Sequence, residues 1–101
     1  MKKSDYALWS NAATQWSSNY LNNIENYPVR AQTAPGDIAK QIPDSPPEAS
    51  ESMESIMNDF TRIVPEGMTH WQHPRFFAYF PSNAAPAAMI CLLYTSDAAV
   101  E

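Results

Sequence analysis

Nine prolines against two glycines in 101 residues set the tightest limit on what this chain can fold into. Proline holds φ near about −65° and removes a backbone donor, so it is confined to turns, extended runs and the first turn of a helix. The prolines stand at Pro28, Pro35, Pro43, Pro46, Pro47, Pro65, Pro74, Pro81 and Pro86. Regular structure must fit between them, and much of the chain must run as connections. A chain of this length forms one small domain at most, and it buries only about 60% of its unfolded surface, which leaves a thin stability margin.

Two proline-free windows carry helical periodicity. In the first, Trp9, Ala13, Trp16, Tyr20 and Ile24 recur at spacings of three and four and share one face. Ser10, Asn11, Ser17, Ser18, Asn22 and Asn23 between them are weak helix formers, so packing rather than propensity must hold this helix. The pattern predicts a helix over 5–26, capped by Ser4 or Asp5 and ended by Pro28. In the second window, Met53, Ile56, Met57, Phe60, Ile63 and Val64 predict a helix over 51–64. Glu51 and Glu54 favour its positive end, Arg62 its negative end, and Pro65 is expected to stop it.

The segment between the helices, Tyr27 to Ala49, reads as an extended arm with a turn at Pro35-Gly36-Asp37, pinned at intervals by Ile38 and Ile42. After Gly67 come His70, Trp71, His73, Phe76, Phe77, Tyr79 and Phe80, with Pro74 and Pro81 among them. That run predicts an extended, buried stretch. A third helix is expected over 84–93, capped by Ser82 or Asn83 with Pro86 in its first turn. The fold class expected is mostly α, two to three helices joined by extended Pro-rich segments and spread apart rather than bundled.

Charge and composition exclude several functions. The net charge is −5 and only six residues are Lys or Arg, against what a phosphate backbone or an anionic membrane requires. No apolar run follows the cations Lys2 and Lys3, so no signal peptide is expected, and the apolar stretch Ala84 to Leu93 is too short to span a bilayer. The single cysteine, Cys91, allows no internal disulfide, and a cytoplasmic protein is expected.

Few residues offer catalysis alone. His70 and His73 stand close enough for a metal pair, but no third ligand accompanies them and Pro74 breaks the spacing, so no metal is expected. A Ser82–His70–Asp59 set lacks a nucleophile elbow. No glycine-rich phosphate loop exists, and no lysine follows Lys40. The aromatic run is plain core or the wall of a pocket for an aromatic ligand, with His70, Tyr79 and Ser82 as its polar groups.

The run Gly67-Met68-Thr69-His70-Trp71-Gln72-His73-Pro74-Arg75-Phe76-Phe77-Ala78-Tyr79-Phe80-Pro81-Ser82 closely resembles the signature of the aromatic-L-amino-acid decarboxylases, the group II pyridoxal-phosphate decarboxylases. The likeness extends from about Asp5 to Ile90, through the first helix, the arm with Pro35-Gly36 and the second helix. It implies the N-terminal helical flap, residues 1–90, of a homodimeric α/β enzyme of fold type I (aspartate-aminotransferase-like) whose large domain is missing here. It implies pyridoxal 5'-phosphate as cofactor, an amino-acid substrate, and release of CO2 to give an amine. It puts Trp71, Tyr79, Phe80, Pro81 and Ser82 around the substrate side chain, with His70 supporting them. The family often has Thr where Ser82 stands; the hydroxyl is kept, but without the methyl its rotamer is less constrained. The family's cofactor-binding lysine, its aspartate partner to the ring nitrogen and its stacking histidine lie downstream, so the fragment itself is expected to be inactive.

From Cys91 to Glu101 the chain departs from the family and resembles a translated transposase-end sequencing adapter, with Val100 the one difference. Residues 91–101 are therefore expected to be a non-native tail. The alternative from another class is a small helical protein-interaction module without catalysis, binding through its aromatic stripe, and a third is a self-contained orphan domain.

Overall fold

The computed structural model describes residues 1–79 and 85–98, the last six of these by backbone alone. Among the described residues there are three α-helices: α1 (Tyr6–Asn22), α2 (Met53–Gly67) and α3 (Pro86–Ala98). Among the described residues there is no strand.

α1 begins without the side-chain cap expected of Ser4 or Asp5. The Ser4 hydroxyl lies 3.4 Å from Asp5 Oδ1 instead, and a short 3-10 turn, Lys3–Asp5, leads into the helix, with the Asp5 amide donating to the Lys2 carbonyl at 3.0 Å. α1 also ends four residues before the expected Asn26. The Asn23 backbone amide is shared between the Asn19 (3.0 Å) and Tyr20 (3.3 Å) carbonyls, so it takes up the Tyr20 acceptor that would carry the helix on, while its side-chain amide donates to the Asn19 carbonyl at 2.8 Å. A 3-10 turn, Ile24–Asn26, follows and turns Ile24 inward to 7% exposure.

The arm is ordered by turns. Gly36 takes φ 91°, the Asp37 carboxylate accepts from the Ala34 amide at 2.8 Å, and a 3-10 turn, Ala39–Gln41, follows. Lys40 pairs with Asp37 at 3.0 Å; this pairing and the Ala34 amide hold the Asp37 carboxyl below its usual range. Ile38 packs against Gly67, whereas Ile42 is 55% exposed and pins nothing.

α2 is properly capped: Ser52 is extended and its hydroxyl accepts from the Ser55 amide at 3.1 Å. Pro65 does not stop it, and the helix runs on to Gly67. In the last turn the proline removes one ladder bond, while the carbonyls there lack intrahelical partners in any case. The longer helix takes Arg62 out of the last turn. Its guanidinium instead bonds Asp59 at 2.9 Å and Gln41 at 2.7 Å, tying the arm to α2. α1 and α2 meet through Trp16 and Phe60, whose rings stand edge to face 4.8 Å apart.

The segment after Gly67 differs from the extended, buried stretch expected. It folds as two consecutive turns sharing His73: the His73 amide donates to the His70 carbonyl and the Phe76 amide to the His73 carbonyl, both at 3.0 Å. Pro74 occupies the second position of the latter turn, where its fixed φ is an advantage. α3 begins at Pro86, with the Ala88 amide on the Ala85 carbonyl at 2.9 Å. The expected caps Ser82 and Asn83 lie outside the described residues.

Candidate functional site

His70 is the most enclosed side chain described, 1% exposed, and three parts of the chain converge on it. From α1, the Tyr20 hydroxyl lies 2.7 Å from His70 Nδ1. From the stretch after α1, the Tyr27 ring packs 4.8 Å from the imidazole, and the Val29 carbonyl accepts from the His70 amide at 2.9 Å. From the end of α2, the Pro65 carbonyl is the other polar neighbour of the ring and favours its protonated form; it is one of the carbonyls the last turn of α2 leaves free. With the N–H of a neutral imidazole directed at that carbonyl, Nδ1 would be the acceptor and the Tyr20 hydroxyl the donor.

The electrostatics favour a neutral ring. Burial pushes the His70 imidazole below its ordinary range; the Pro65 carbonyl opposes that shift, and the nearby His73 adds to it. Burial, with the neighbouring Tyr27, raises Tyr20 above the ordinary phenol range. Both groups are thus held neutral at pH 7. His73, 8% exposed, accepts on Nδ1 from the Arg75 amide at 3.0 Å. Among the described residues no group of three potential metal ligands forms.

Immediately after this buried anchor the rings turn outward. Trp71 is 50% exposed and Tyr79 79% exposed. Trp71 stacks with Phe76 at 5.5 Å and with Tyr79 at 6.0 Å, each pair 17° from parallel, so Trp71 is the middle of a row of three rings. Tyr79 adopts φ 57°, the left-handed region, which costs a non-glycine residue about 1–2 kcal/mol. Phe80, Pro81 and Ser82 lie outside the described residues. A cleft of about 460 Å³ opens between Glu25, Tyr27, His73 and Arg75, and none of Trp71, Phe76 and Tyr79 lines it. The row of rings is therefore an open face, one side of a site.

Sequence reasoning brought Trp71, Tyr79 and His70 to this region but missed Tyr20, Tyr27 and Pro65 as partners of His70. Tyr20 belonged to a helical stripe and Tyr27 to the arm that follows, and nothing in the spacing of that stripe points to a histidine fifty residues on.

The model of the pyridoxal-dependent decarboxylase conserved domain matches residues 35–100. A tyrosine decarboxylase of Papaver somniferum is 45% identical over 73 residues, covering 72% of this chain and 14% of that protein. The crystal structure of Oryza sativa TDC with PLP and tryptamine superposes with a TM-score of 0.87 at 32% identity, over 96% of this chain and 20% of that one. That of Rhodiola rosea 4-hydroxyphenylacetaldehyde synthase gives 0.88 at 33% identity, over 99% of this chain and 21% of that one. The chain thus spans about a seventh to a fifth of the proteins it resembles. With more than half of its residues matched by the domain model, the chain belongs to the pyridoxal-dependent decarboxylase family.

Proposed function

We propose that the chain is the N-terminal part, residues 1–90, of a pyridoxal-phosphate-dependent decarboxylase of aromatic L-amino acids, releasing CO2 to give an amine. The observation that carries this reading is the row of parallel rings, Phe76, Trp71 and Tyr79, standing on a buried histidine. Parallel offset rings are a suitable surface for another aromatic ring. In this reading Trp71, Tyr79, Phe80, Pro81 and Ser82 face the substrate side chain, and His70 supports them. The likeness to a tyrosine decarboxylase and to a structure holding tryptamine supports an aromatic substrate.

The described residues do not suit the cofactor itself. Lys40 is ion-paired to Asp37 and its side chain is 73% exposed, the opposite of a desolvated amine ready to condense with an aldehyde. Two glycines, one in the turn after Pro35 and one at the end of α2, make no phosphate cradle. The cofactor, when bound, would supply the electron sink for loss of CO2; on this reading its site lies in the rest of the protein, and the fragment is inactive alone. The exposed apolar faces of the helices fit a homodimer in which they cover the neighbouring subunit. A cytoplasmic location fits the absence, among the described residues, of a helix able to cross a membrane. Residues 91–101 are read as a non-native tail.

The experiment is to extend the gene past the codon for Ile90 and express the whole protein. A decarboxylase frame with a pyridoxal-binding lysine, converting tyrosine or tryptophan to its amine, is expected; a stop codon there would favour the interaction module. In that enzyme, Trp71→Ala or Tyr79→Ala should raise KM by roughly tenfold or more, in line with losing one buried aromatic contact, and leave cofactor content intact. Equal loss of both would remove the wall assignment. A second reading, conversion of the same substrates to aldehydes, is favoured by the likeness to the Rhodiola rosea aldehyde synthase. Product analysis for amine against aldehyde and ammonia separates the two.

A further inference from the structure

We propose that the Tyr20 hydroxyl is a positioning group, which holds the neutral His70 ring by its hydrogen bond and so sets the stacked Trp71–Tyr79 face against α1. The inference rests on the reading of that face as a substrate wall. Three observations carry it. The bond is short, 2.7 Å, and joins α1 to a segment fifty residues away. His70 directly precedes Trp71, so a rotation of the imidazole is transmitted to the middle ring of the row through one peptide unit. The ring is buried, 1% exposed, with the Pro65 carbonyl as its other polar neighbour, an arrangement that suits an N–H on Nε2 and an acceptor at Nδ1.

The same geometry makes the latch sensitive to acid. A second proton on the ring turns Nδ1 into a donor facing a hydroxyl that is itself donating. The groups around the ring are Tyr20 from α1, Tyr27 from the stretch that follows, the Pro65 carbonyl from α2, and His73 from its own segment. None is a carboxylate that would stabilise the cation, and His73 would repel it. Folding favours neutral His70, so the unfolded chain takes up the proton first. The stabilisation is complete above the ordinary imidazole range, near about pH 6.5, and is lost as the pH falls below it.

Two measurements decide the proposal. In the 101-residue chain, multiple-bond 1H–15N spectra should show His70 as the Nε2–H tautomer, and Tyr20→Phe should move its titration midpoint upward. A tautomer mixture, as an unfolded chain would give, or an unmoved midpoint overturns the hydrogen bond. In the whole enzyme, Tyr20→Phe should raise KM for the aromatic substrate about fivefold, the effect of one net hydrogen bond, with a smaller change in kcat. The KM of the unmodified enzyme should rise toward acid, and that rise should disappear in Tyr20→Phe. An unchanged KM and pH profile overturns the positioning role while leaving the decarboxylase reading intact. A whole protein inactive on aromatic amino acids sinks that reading and the positioning role together, and the tautomer still decides the bond.

Discussion

Gly36 and Gly67 are the only two glycines, and each is required for a different physical reason. Gly36 sits at φ 91° with nothing within 4 Å of where a Cβ would stand, so its requirement is purely one of backbone conformation. Gly67, the last residue of α2, is not in the left-handed region, but a Cβ there would lie 3.0 Å from Ile38 Cγ1 and 3.3 Å from Cδ1. Gly36→Ala should therefore destabilise the chain by about 1 kcal/mol, whatever stands at position 38. Gly67→Ala should be relieved by Ile38→Ala, a coupling of about 0.5–1 kcal/mol in a double-mutant cycle. Urea titration followed by far-UV circular dichroism measures both; an additive cycle would mean that Ile38 does not bear on α2 through Gly67. The turn at Gly36 was legible because Pro-Gly-Asp is a local signal. The contact at Gly67 was not, since it joins residues 38 and 67.

At the scale of elements, α2 shows what a pattern can and cannot announce. Its apolar spacing, with Glu51 and Glu54 at its start, was sufficient to predict it. Its ends were not: Ser52 caps it, and it passes Pro65 to reach Gly67. Ser52→Ala should destabilise α2 by about 1 kcal/mol, and Ser52→Asp should retain the cap and add a favourable charge at the helix start. Hydrogen exchange at the Ser55 amide reports this directly. Unchanged protection in Ser52→Ala would show that the Ser52 hydroxyl, though 3.1 Å away, holds nothing. The passage through Pro65 also has a structural consequence, for it delivers a free carbonyl to His70.

The whole molecule is open. Its accessible surface is 8570 Å², against about 5,700 Å² for a folded monomer of its 11.3 kDa mass. Its radius of gyration is 16.0 Å, where about 13 Å suits a compact chain of this length. Tyr6 and Leu8 on α1, Ile56 and Phe60 on α2, and Met89, Ile90 and Leu92 on α3 are all exposed. Apolar surface on this scale is uncommon on a soluble monomer. The isolated chain should therefore bind a hydrophobic dye such as ANS and sediment above 11.3 kDa at tens of micromolar. A dye-free species sedimenting at 11.3 kDa would show that the helices need no covering surface.

Local rules operating over a few residues determined a good deal by themselves. Helical spacing located α1 and α2, Pro-Gly-Asp located the turn, and the order of aromatics and prolines after Gly67 pointed to the family. Tertiary structure alone decided what those residues do to one another. It turned the aromatic run from the extended, buried stretch expected into paired turns, buried His70 and exposed Trp71 beside it, and brought Tyr20, Tyr27 and Pro65 to one imidazole. Periodicity describes which side of an element is apolar, whereas a hydrogen bond across fifty residues depends on how the arm between them folds back.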